Sequence, residues 1–180
     1  MIDMKKEALK KTVYLCGFMG SGKSTAGMIL SKNLSLPRVD TDFIISKKEN
    51  MPITEIFAKK GEEYFRKKET RLLFRLSHQS SRIVSLGGGT VLREKNVRIC
   101  KKKGFILFLN VPFETVYERI RRNNKRPIAN SKTKEELEEL YNARLISYRE
   151  VADIEIIGEG SAEQTAEKIY EALKEKGIIK

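Results

Sequence analysis

At 180 residues, 40% hydrophobic and 33% charged, the chain has the length and balance of one globular domain around one core. Its longest apolar runs, such as Phe105 to Leu109 and Ile154 to Ile157, are strand-length and far short of the roughly 20 residues a membrane span needs. The formal net charge of +12 suits either nucleic acid or a field that draws in anionic substrates.

Short apolar runs alternate with longer helical patterns, which predicts an α/β fold with a parallel sheet covered on both faces. The strands are expected at Thr12 to Cys16, Arg38-Val39, Ile83 to Leu86, Phe105 to Leu109 and Ile154 to Ile157. A helix is expected from Lys23 to Leu34, and another over Phe43, Ile44 and Ile45. Thr54 to Gln79 is helical in pattern, with Gly61 as a break, and a further helix is expected at Val91. Phe113, Val116, Tyr117 and Ile120 recur at helical spacing after Pro112. Thr133 with Glu136, and Ser161 with Gln164, make capping boxes for the last two helices, and Gly177 can end the second.

The run Gly17-Phe18-Met19-Gly20-Ser21-Gly22-Lys23-Ser24-Thr25 follows a strand and opens a helix, as a phosphate-binding P-loop does. Its glycines let successive backbone N–H groups face phosphate oxygens, and the helix adds its positive end. Lys23 would reach the terminal phosphates of ATP, and Ser24 would ligate Mg²⁺. Gly20, Ser21, Gly22 and Thr25 complete the candidate ATP site. Asp40 and Asp42 close the second strand, where open α/β sheets bind ligands. One can hold magnesium through water and the other can accept a hydroxyl proton; the competing reading is a turn or a helix cap by Asp42. Gly87, Gly88 and Gly89 end the third strand, where three glycines serve close backbone approach to a ligand or a flexible turn. Arg144 shares a helical stripe with Leu137, Leu140, Tyr141 and Tyr148, so its guanidinium needs a partner or a route to water.

This ordered set resembles the shikimate kinases from about Thr12 to Tyr170. The resemblance implies a P-loop fold like that of nucleoside monophosphate kinases, with a five-stranded parallel sheet. It implies ATP- and Mg²⁺-dependent phosphorylation of the shikimate 3-hydroxyl, a step of aromatic amino acid biosynthesis. Asp40 would lie near the magnesium, and Asp42 would bind the substrate hydroxyls as general base. Gly61-Glu62-Glu63-Tyr64-Phe65-Arg66-Lys67-Lys68-Glu69 resembles a family segment whose arginine grips the substrate carboxylate, a role that falls to Arg66. A surface ion pair with Glu62 or Glu69 is the alternative reading of that arginine. The glycines Gly87 to Gly89 would touch substrate. Arg126-Pro127-Ile128 resembles the family's lid motif, with Arg126 folding over the phosphates. Arg119 matches the position against adenine, and Arg144 the second contact to the carboxylate. Ile146 stands where the family pattern has proline.

The implied organisation is one kinase domain over residues 1–180, with a substrate-binding helical insert at about 41–80 and a lid at about 122–136. With no leader-like segment, a cytoplasmic monomer is expected, acting on a small molecule without nucleic acid or membrane partners. Lysines scattered along helices and turns read as a solvated surface. Cys16 and Cys100 make no metal-ligand cluster, and the lone His78 reads as a surface residue. Rival readings are another small-molecule kinase, such as a gluconate kinase, and a basic nucleic-acid-binding protein switched by ATP.

Overall fold

Five parallel strands are ordered β2-β3-β1-β4-β5 in the computed structural model, which describes residues 8–122 and 132–179. The strands are β1 (Thr12–Cys16), β2 (Arg38–Asp40), β3 (Ile83–Ser85), β4 (Gly104–Asn110) and β5 (Ile154–Ile157). Each lies within one residue of its sequence-based bounds. β1 is buried along its whole length, and Phe105 to Leu109 of β4 are buried too. Helices on both faces therefore leave these central strands no polar side, which is why their sequences run apolar without alternation. At roughly 25 cal/mol per Å² of apolar surface removed from water, such strands supply most of the driving force for the sheet.

The helices are α1 (Lys23–Asn33), α2 (Thr41–Glu49), α3 (Ile53–Lys60), α4 (Glu62–Leu76), α5 (Glu94–Lys103), α6 (Phe113–Arg121), α7 (Lys134–Val151) and α8 (Ala162–Glu175). Gly61, at φ 80°, separates α3 from α4 as expected. Both capping boxes form, with Thr133 and Ser161 accepting from the backbone N–H of Glu136 and Gln164. Gly177, at φ 63°, ends α8, and the Ile178 N–H reaches back to the Leu173 carbonyl at 2.8 Å. One helix differs from expectation. Val91 lies in a single 3-10 turn, Thr90–Leu92, and the helix proper is α5, starting at Glu94. Lysines fill the last turn of α5 and mask its amphipathic spacing, while Asn96 and Cys100 turn inward. Ile146 is exposed and sits inside α7, which runs unbroken through the position where the family pattern has proline.

The first and last described segments pair. The Lys10 N–H donates to the Ile178 carbonyl at 2.9 Å, and Leu9 bridges to Ile179. Among the described residues no helix is long and apolar enough to cross a membrane.

Candidate active site

β1 delivers the chain into a loop whose Gly17, Gly20 and Gly22 have φ of 142°, 80° and 93°, values that L side chains avoid. Gly22 forms the N-terminal boundary of α1, no side chain caps that helix, and its first turn holds no acid. The helix end thus keeps its positive character for an anionic ligand. Lys23 is buried, with Nζ donating to the Gly17 and Phe18 carbonyls at 2.8 Å and to Ser21 Oγ at 3.3 Å. The ammonium is thereby folded into the loop beside the phosphate-binding backbone. A cleft lined by Gly20 through Ala26 and by Arg119, Ile120, Ala162 and Thr165 opens above it.

β2 ends beside this loop. Asp40 is the N-cap of α2, with Oδ1 accepting from the Phe43 N–H at 3.1 Å. Its Oδ2 accepts from Ser24 Oγ at 2.5 Å. The cap is therefore Asp40, which removes the reading of Asp42 as the capping residue. Ser24 and Asp40 put two hard oxygens side by side at the phosphate loop. That pair suits Mg²⁺, which takes one or two protein oxygens and completes its shell from water and phosphate. Among the described residues no cluster of three or more His, Cys, Asp or Glu forms a dedicated cage. Ser85 Oγ donates to the Lys23 carbonyl at 3.2 Å, so its hydroxyl serves the packing of β3 on α1.

A second cleft of about 420 Å³ lies between the ends of β2 and β3 and helices α2 to α4. It is lined by Asp40, Asp42, Arg66, Gly87, Gly88, Gly89 and Arg144, with apolar walls including Phe57 and Phe65. The two clefts share Lys23 and Ser24. The triple glycine explains the convergence. A β-carbon on Gly87 would run into Asp42 Oδ1; one on Gly88 would come within 3.5 Å of an Arg144 terminal nitrogen; one on Gly89 would lie 2.6 Å from an Arg66 terminal nitrogen. Gly87 and Gly89 make room for Asp42 and Arg66, while Gly88 lies in ordinary contact with Arg144.

Arg66 is held by Glu62 and Glu69, both at 2.7 Å, and only 12% of its side chain is exposed. The ion-pair reading and the pocket reading of this arginine thus coexist. Arg144 reaches over the Phe18 ring at 5.7 Å, and its Nε is buried with no hydrogen-bond partner. Arg144 also lines the cleft, where its guanidinium can meet an acceptor atom of a ligand. Arg119 lines the P-loop cleft, with a terminal nitrogen 3.7 Å from the β-carbon position on Gly22. Arg126 and most of the expected lid lie outside the described residues, and residues 133–136 belong to the cap and first turn of α7.

Several supporting roles emerge only from the folded structure. Glu69 is fully buried and bonds both Arg66 and, at 2.5 Å, the Thr90 hydroxyl. The ion pair with Arg66 was expected from their spacing; the burial of Glu69 and its bond to Thr90 were not. Thr41 accepts from the Gly87 N–H at 3.0 Å and donates to the Ser85 carbonyl, tying α2 to the glycine loop. Tyr148 donates to the Gly88 carbonyl at 2.6 Å. Burial pushes its phenol above the usual range, so the hydroxyl stays protonated and remains a donor.

Residues 19–174 match the family model for shikimate kinase. The chain belongs to the shikimate kinase family. A shikimate kinase of Persephonella marina is 41% identical over 152 residues, covering 84% of this chain and 92% of that protein. The Aquifex aeolicus shikimate kinase is 38% identical, covering 90% and 95%. A solved Acinetobacter baumannii shikimate kinase in complex with shikimate superposes with a TM-score of 0.86 at 32% identity, covering 92% and 94%. A gluconokinase of Sinorhizobium meliloti, at 14% identity and a TM-score of 0.55, shares the fold alone.

Proposed function

We propose that the chain transfers the γ-phosphoryl group of ATP to the 3-hydroxyl of shikimate. The observation that carries this reading is the meeting of two clefts at Lys23 and Ser24, one framed by the P-loop and one by Asp42, Arg66 and Arg144. ATP would occupy the first cleft, with its phosphates on Gly20 to Thr25 and its adenine near Arg119. Mg²⁺, held by Ser24 directly and by Asp40 through water, would neutralise charge on the phosphate oxygens. Lys23 would swing from its loop carbonyls to the transferring group. The family's lid arginine, Arg126 in this chain, would add a second positive charge over the phosphates.

In the second cleft Arg66 and Arg144 would hold the acceptor carboxylate. A planar guanidinium matches a carboxylate in two parallel bonds, and two such grips fix the ring's orientation. Asp42 would then face the hydroxyl, orient it and accept its proton as the O–P bond forms. Little covalent work remains for the protein, so alignment and charge stabilisation carry the rate. Residues 41–80 would act as the substrate-binding insert and residues 122–136 as the lid of a single domain. The protein is proposed to work as a cytoplasmic monomer without a nucleic-acid partner.

The test is ADP release with shikimate, quinate, gluconate, AMP or no acceptor. Fast release with shikimate alone is expected. Equal release without any acceptor makes the protein an ATPase and overturns the reading, and preference for gluconate moves it to the rival kinase class.

A further inference from the structure

The outer face of α2, α4 and α5 carries a groove of about 820 Å³ that the proposed chemistry leaves unused. Its floor is aliphatic, with Ile44 and Ile45 from α2, Leu72 from α4 and Ile99 from α5. Phe74 stands at its side, 57% exposed, and is the one aromatic side chain lining it among the described residues. Single exposed apolar residues are ordinary, but this one is surrounded by cations. Lys48, Arg71, Arg75 and Lys95 line the same groove, and Lys102 lines its continuation past Phe74. No carboxylate pairs with any of these five among the described residues. The acids nearby are already engaged. Glu49 receives Lys60 at 2.7 Å and Lys68 at 2.8 Å, and Glu94 receives Arg98 at 2.5 Å. The result is a strip of uncompensated positive charge around an apolar trough.

We propose that this groove docks an acidic protein segment that lays an apolar side chain against Phe74. Charge complementarity selects the acids, and the trough selects the apolar anchor. A nucleic-acid strand would need a run of open stacking platforms, whereas Phe74 is already packed by the His78 ring, 4.5 Å between centroids. A membrane surface would need several protruding apolar residues, whereas among the described residues Phe74 stands out alone here and Ile45 and Leu72 are recessed, at 3% and 6% exposed. Arg71, Phe74 and Arg75 lie outside both clefts of the candidate active site, so this docking stands independently of the phosphoryl-transfer reading.

The probe is a fluorescent acidic peptide of roughly 15 residues, about four helical turns, with Leu and Phe on one face. It is compared with polyglutamate of equal length, single-stranded oligothymidine and phosphatidylserine vesicles. The acidic–apolar peptide is expected to bind, and to bind less tightly as salt rises. Its Kd should weaken about tenfold or more in the double variant Arg71→Glu, Arg75→Glu. Phe74→Ser, at an exposed position, should weaken it several-fold and serves if the double variant fails to fold. ATP-dependent turnover and thermal midpoint should stay at parent values in Phe74→Ser. Absence of peptide binding, unchanged binding in the variants, or equal binding of polyglutamate overturns the proposal. Tighter binding of oligothymidine or of vesicles, lost in the same variants, also overturns it and reassigns the groove.

Discussion

A terminal nitrogen of Arg66 lies 2.6 Å from the point a β-carbon would occupy on Gly89. Glu62 and Glu69 anchor that guanidinium, so displacing it strains an ion pair to a fully buried acid. Gly89→Ala is therefore expected to displace Arg66 from the acceptor cleft. Steady-state kinetics should show the acceptor KM rising about tenfold or more, equivalent to the ~1.4 kcal/mol of a weakened charge-assisted bond. The ATP KM should hold, because Gly89 does not line the nucleotide cleft. Equal rises in both constants would mean that the glycine serves the fold and not the arginine.

The same contact shows where sequence reading stopped. Three glycines in a row announced a close approach, but not that the approaching groups are Asp42, Arg144 and Arg66. Those come from α2, α7 and α4, and only the folded sheet brings them to one loop. The P-loop was fully legible, because strand, glycines, lysine and helix are contiguous. Both capping boxes were legible for the same reason. α5 was not, because Lys101, Lys102 and Lys103 dilute its period, and tertiary burial of Asn96 and Cys100 outweighs that local pattern. The buried link from Arg66 through Glu69 to Thr90 joins residues 66, 69 and 90. No local spacing rule reaches across the last of those separations.

Lys23 is the residue whose loss should separate folding from chemistry. Its Nζ donates to two loop carbonyls and a hydroxyl beside the phosphate site. Lys23→Met keeps the stem length and removes the charge. Turnover should fall by about 10²–10³-fold or more, the range seen when one preorganised electrostatic contact is removed. Circular dichroism and the thermal midpoint should stay near parent values. A variant with near-normal kcat would remove Lys23 from the mechanism.

Tyr148 tests whether the glycine loop is held in place or merely permitted. Its hydroxyl donates to the Gly88 carbonyl at 2.6 Å, and its ring packs 5.2 Å from Phe108 in the core. Tyr148→Phe keeps the ring and removes the donor. A buried carbonyl left without its partner costs about 1–3 kcal/mol. The loop is then expected to shift, raising the acceptor KM more than the ATP KM. A fall in thermal midpoint with both KM values unchanged would give the tyrosine a purely structural part.

The two buried thiols lower stability on the alkaline side first, and the buried phenols of Tyr14 and Tyr148 add to the loss at higher pH. Burial, first of all, pushes both Cys16 and Cys100 up from 9.0 to about 12. Between those values the folded chain keeps protons that the unfolded chain has lost. The unfolded state then binds fewer protons, so stability falls as pH rises through that window. Each thiol contributes up to about 1.4 kcal/mol of loss per pH unit. Urea midpoints should therefore drop steeply from about pH 9 to pH 10.5, and Cys100→Ala should shallow that slope. In the native protein at pH 8 neither thiol should react with a disulfide reagent, while both should react in denaturant. Rapid native labelling, or a slope unaffected by the Cys100 substitution, would show that these sulfurs are not the buried neutral groups the core makes of them.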